Sequence, residues 1–153
     1  MARLALGVVA AAVFAMAGAW TQGGAQVNAV GVPKSPRFMA LDVVVDAGAE
    51  GLAAYQVEIK DAAGFAKIVG IEGGEGLYKS APYYDPAAMQ KEHVIIGALS
   101  TSAADGLPRG ATRVARVHVM VEGGEPKWEA VLMTAGATGG KKIEGVVRVR
   151  GAE

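Results

Sequence analysis

The chain has 153 residues, 22 glycines, no cysteine, 52% hydrophobic residues, and 15 basic against 15 acidic side chains. That length suits one domain, the charge and aliphatic content exclude a disordered chain, and the balanced charge argues against a nucleic-acid binder, which needs a basic excess.

The N-terminus reads as a signal peptide over residues 1–19, with an alternative end at residue 25. Arg3 supplies the basic start, residues 4–17 are uncharged and apolar, and Ala17-Gly18-Ala19 has the small-x-small pattern of a cleavage site. The run is short and Ala/Gly-rich for a membrane anchor, so no membrane span is expected after cleavage. Without it the hydrophobic share falls to about 48%, an ordinary globular value. The expected localisation is exported, either extracellular or periplasmic in the cell envelope. With no cysteine, neither disulfides nor a lipid-bearing N-terminal cysteine hold the domain, so its core must.

Residues 20–37 are Gly, Gln, Asn, Pro and Ser with isolated valines, a flexible linker before a domain over 38–153. Seven strands are predicted there. In 38–47, Leu41, Val43 and Val45 oppose Asp42 and Asp46; in 52–60, Tyr55, Val57 and Ile59 oppose Gln56, Glu58 and Lys60. Runs 65–72 and 93–99 follow. In 112–122, Ala115, Val117, Val119 and Val121 oppose Arg116, His118 and Met120. In 127–134, Trp128, Ala130 and Leu132 share the core face, and 143–150 completes the set. Glycine-rich turns separate the runs, so the fold class is all-β, an antiparallel β-sandwich. The long connection 73–92 is expected to hold one short helix over 85–91, with Asp85 as N-cap and Pro86 in the first turn.

Catalytic and metal chemistry find little support. His93 and His118 lack partners at ligand spacing, Asp42 and Asp46 lie outside any calcium-loop motif and read as solubilising residues, and a loop site built from Glu72, Glu75 and Asp85 is the alternative for a cation. Residues 136–142 resemble a phosphate loop, but Ala135 stands where its first glycine belongs and Lys142 where Ser or Thr belongs; a hairpin is expected. Ser100 and Ser102 lack a nucleophile elbow, and no carboxylate pair is singled out for glycoside hydrolysis. No enzyme activity and no cofactor are expected. Lys141, Lys142, Arg148 and Arg150 form a basic cluster, read as the charged guard of an edge strand. Tyr78, Tyr83 and Tyr84 gather in the long connection and form the candidate loop for ligand or partner binding, or else a lid on the core.

Three stretches carry a resemblance: 52–74 (LAAYQVEIKDAAGFAKIVGIEGG), 93–98 (HVIIGA) and 110–123 (GATRVARVHVMVEG). Their order and spacing resemble cohesin domains, secreted jelly-roll β-sandwiches related to bacterial carbohydrate-binding modules. The sequence departs from that family at Asp61-Ala62-Ala63-Gly64, where cohesins end the strand with Tyr-Asp-Pro. The resemblance implies a non-catalytic module that binds an extracellular or envelope protein, a dockerin-like partner among the candidates. The alternatives are a carbohydrate-binding module that takes a polysaccharide during its breakdown, and a structural envelope subunit.

Overall fold

The computed structural model describes residues 35–152; the expected signal peptide and all but the end of the expected linker lie outside them. Eight strands follow in order: β1 (Arg37–Asp46), β2 (Ala54–Asp61), β3 (Ala66–Gly73), β4 (Tyr83–Tyr84), β5 (His93–Leu99), β6 (Ala111–Val121), β7 (Trp128–Gly136) and β8 (Val146–Gly151). They form two four-stranded sheets, ordered β3-β6-β1-β8 and β4-β5-β2-β7. All pairings are antiparallel. The pairs β1–β8, β2–β7, β3–β6 and β4–β5 are those of one long hairpin rolled up on itself, as in a jelly roll, while β1–β6 and β2–β5 join the pairs within each sheet. The protein is the all-β sandwich its periodicity predicts.

The alternating faces supply the core. Leu41, Val43 and Val45 of β1 and Val117, Val119 and Val121 of β6 face Tyr55, Val57 and Ile59 of β2 and Val94 and Ile96 of β5, all buried. Each such aliphatic contributes about 1.5–3 kcal/mol relative to exposure, which offsets the entropy of ordering the strand. Trp128 and Leu132 pack at the margin of this core.

Three bulges modify the simple alternation. They fall opposite Val43/Val44 on β6, opposite Gln56/Val57 on β7, and within β3 between Ile68 and Gly70. On β6 the bulge buries the consecutive residues Val114 and Ala115. On β7 it leaves Thr134 exposed next to the outward Met133 and turns Ala135 into the core, and this strand runs to Gly136 rather than stopping at 134.

The β2–β3 turn is held by Asp61, only 3% exposed. Its Oδ1 accepts N–H bonds from Ala63 (2.9 Å) and Lys127 (2.7 Å), and its Oδ2 from Phe65 (2.7 Å) and Ala66 (2.8 Å). Gly64 completes the turn at φ 73°, a conformation that suits glycine. Burial alone would raise the Asp61 pKa, but the four N–H donors outweigh it and hold the carboxyl below its usual range.

The long connection differs from expectation. The predicted helix over 85–91 is a single 3-10 turn, Pro86–Ala88. Asp85 does cap it, accepting from the Ala87 N–H at 2.9 Å. The turn ends because the next backbone groups are taken by β3: Gln90 N–H donates to Ile68 O and Ile68 N–H to Lys91 O, each at 2.8 Å. Two further 3-10 turns occupy Gly76–Tyr78 and Thr138–Gly140. The hairpin expected at 136–142 closes locally through the Gly136–Lys142 bridge. The chain then crosses to the other sheet, so Ile143 precedes β8 rather than belonging to it.

Candidate binding surfaces

The tyrosines expected on one loop separate. Tyr78 is 3% exposed and belongs to the core, so it leaves the candidate surface. Its hydroxyl donates to Leu52 O at 2.8 Å, and its ring meets Tyr55 edge-on with centroids 5.2 Å apart. Burial pushes the Tyr78 phenol up to about 12. Tyr84 pairs with Ile96 and packs against the core margin. Tyr83 pairs with Gly97 and points outward, 80% exposed. The strand β4 explains the split: adjacent residues of a strand face opposite ways. Loop composition placed these tyrosines together; the short pairing with β5 sorts them.

Tyr83 stands at one side of the outer face of the β4-β5-β2-β7 sheet. A groove of about 410 Å3 runs beside it, bounded by Gln56, Ile95, Gly97 and Leu99. Gly97 leaves a gap in the row of side chains between Tyr83 and Gln56, since the three residues lie in register across the sheet. Leu99 is 68% exposed, and on the far strand Val131 and the bulged Met133 are exposed as well. One end of the same face is charged, with Lys60 paired to Glu129 at 3.3 Å and His93 Nε2 to Glu58 at 2.9 Å. The polar side chains of Gln56 and Glu58 on β2 run between the exposed Tyr83 and Leu99 on one side and Val131 and Met133 on the other.

The opposite sheet carries a different constellation. Asp42, 7% exposed, lies directly across from Arg116 on β6 and from Arg150 on β8. Arg116 grips it with two bonds, Nε to Oδ1 at 2.8 Å and a terminal nitrogen to Oδ2 at 3.2 Å. Arg113 approaches the same Oδ1 at 3.4 Å. The Arg116 fork, and to a lesser degree Arg113, hold the Asp42 carboxyl below its usual range against the opposing effect of burial. Glu75 accepts the Arg113 backbone N–H at 3.0 Å. These groups line a polar cleft of about 300 Å3.

The remaining candidates are dispersed. His118 Nε2 lies 3.0 Å from Glu72, out of line for a hydrogen bond. Glu72, Glu75 and Asp85 are engaged separately, and among the described residues no three His, Asp or Glu side chains converge as a metal site would require. Of the basic cluster, Lys141 pairs with Glu50, Lys142 with Glu144 and Arg148 with Asp46, while Arg148 and Arg150 lie on the edge strand β8. Among the described residues no helix is long and apolar enough to cross a membrane. Comparison with protein-family models, with curated proteins and with solved structures finds no match for this chain.

The arginine cleft escaped the sequence reading because Arg113 and Arg116 are three residues apart. Strict alternation puts them on opposite faces; the β6 bulge, which buries both intervening residues, puts them on the same one.

Proposed function

We propose that this protein is an exported, non-catalytic binding module that docks a protein partner on the outer face of the β4-β5-β2-β7 sheet. One observation carries the reading: of the eight large hydrophobic side chains exposed among the described residues, Tyr83, Leu99, Val131 and Met133 share this face. Scattered exposed apolar residues are ordinary, whereas four on one sheet face, with a groove beside an outward-pointing aromatic, suit partner recognition. Export follows from the apolar run in residues 1–19, and the cohesin-like pattern of the strands favours a protein over a small-molecule ligand.

The test is capture from the secreted and envelope fractions of the source cell. The intact protein should retain a specific partner, a Tyr83→Ser/Leu99→Ser variant should lose it, and Phe38→Ser, on the other sheet, should keep it. Equal capture by the Tyr83/Leu99 variant would remove this face from the function. Retardation of the protein by a polysaccharide, abolished by Tyr83→Ala, would replace the protein partner with a glycan. Self-assembly that the double substitution disperses would make the protein a structural subunit instead.

A further inference from the structure

We propose that the cleft formed by Asp42, Arg113, Arg116 and Arg150 binds a carboxylate group. The site is independent of the Tyr83 face, since it lies on the other sheet.

Its construction begins with the β6 bulge. By turning both Val114 and Ala115 inward, the bulge brings two arginines of odd spacing to one face, where Asp42 receives them. Bulges that re-aim side chains are frequent beside functional sites. Asp42 acts as a buried brace. Its two bonds fix the Arg116 guanidinium, and its contact with Arg113, together with the 3.4 Å bond from Arg113 to Gly74 O, limits the second. Arg150 arrives from β8 in register with Asp42, and among the described residues it has no carboxylate partner of its own.

Charge sets the ligand class. Three arginines face Asp42 and Glu75 in the cleft lining, and Glu72 lies just outside it, across from Arg116 on β3, so the one arginine left without a carboxylate is Arg150. A single carboxylate answers Arg150, while a doubly charged phosphate or sulfate would oppose the resident carboxylates Asp42, Glu75 and Glu72. Geometry agrees, because the planar fork of a guanidinium matches a carboxylate with two parallel bonds. Arg150, lacking a fixed partner, supplies that fork, and Arg113 the second contact. At about 300 Å3 the cleft admits a carboxylate with a few attached atoms. The group can come from a free carboxylic acid or from an acidic side chain of a polypeptide.

The experiment follows the arginine Nε resonances of the full chain during titration with acetate and, separately, with an end-blocked glutamate peptide, each at constant ionic strength. Saturable shifts at Arg113 and Arg150, with Arg109 unmoved as an internal reference, are expected. Arg150→Gln should weaken the binding about tenfold or more, as loss of a charge-assisted pair implies, with the amide spectrum otherwise retained. Tighter binding of the peptide assigns the carboxylate to a polypeptide; equal or weaker binding assigns it to a free acid. Shifts that track chloride without saturating would overturn the proposal. So would sulfate binding tighter than acetate, or acetate affinity unchanged in Arg150→Gln.

Discussion

Replacing Asp61 by alanine removes one carboxylate and strands four backbone donors at once. The Ala66 N–H, in a residue 2% exposed, stays dry and costs about 1–3 kcal/mol unpaired. The donors of Ala63, Phe65 and Lys127 belong to exposed residues and recover water, so each loses only part of a charge-assisted bond. Together the loss should be about 3–5 kcal/mol, a fall in thermal midpoint of about 10–20 °C for a domain of this size. Asp61→Asn keeps the shape but turns an NH2 toward two N–H donors, and should cost about 2–4 kcal/mol. The pH dependence has a definite sign. The folded-state pKa of Asp61 is depressed, so its contribution is complete above the ordinary carboxylate value of about 3.9 and is lost as pH falls through the lower folded value. The stability gap between wild type and Asp61→Asn should therefore be constant from about pH 5 to 8 and narrow below about pH 4. Asp42, also depressed, titrates in both proteins and cancels from the difference. Denaturant unfolding of both proteins across this pH range is the assay. A cost below about 1 kcal/mol for Asp61→Ala, or a gap that widens in acid, would refute the reasoning.

Two other substitutions probe the frame around the candidate surfaces. Tyr78→Phe removes the buried bond to Leu52 O and should cost about 1–2 kcal/mol by chemical denaturation, leaving capture by the Tyr83 face unchanged. A loss of capture in that variant would return Tyr78 to the binding surface. Gly74→Ala would drive a methyl group into the Arg113 carbonyl, so it should destabilise the fold by about 3 kcal/mol or more and disturb the Arg113 Nε resonance before any other arginine. Wild-type stability in Gly74→Ala would show that β6 yields at this point.

The arrangement separates two roles on one sandwich. The β4-β5-β2-β7 sheet offers an apolar, open face suited to a broad partner, and the β3-β6-β1-β8 sheet a braced, charged cleft suited to one small group. Neither uses the turn at Asp61, but the cleft leans on the Tyr55–Tyr78 pair: the Tyr55 hydroxyl donates to Val114 O in the β6 bulge, and Tyr78 O accepts from Gly74, whose own carbonyl accepts from Arg113. Changes at Asp61 should therefore combine additively with changes in the cleft, whereas changes at Tyr55 or Tyr78 should couple to it through Val114 and Gly74.

The sequence alone determined seven of the eight strands, to within a few residues at their ends, and the buried face of most of them; the two-residue β4 was not among them. Leu41/Val43/Val45, Tyr55/Val57/Ile59 and Val117/Val119/Val121 all point as their alternation requires, since that period is a property of the extended backbone itself. The sandwich follows, because so many one-faced strands have to cover one another. What alternation cannot encode is where a partner strand forces an extra residue. The bulge opposite Val43/Val44 brought Arg113 beside Arg116, and the one opposite Gln56/Val57 turned Thr134 outward and Ala135 into the core. Nor could composition separate Tyr83 from Tyr78, or foresee that Ile68 would take the backbone groups of a predicted helix. Those outcomes rest on hydrogen-bond partners distant in the chain, and there the tertiary structure decided the candidate sites.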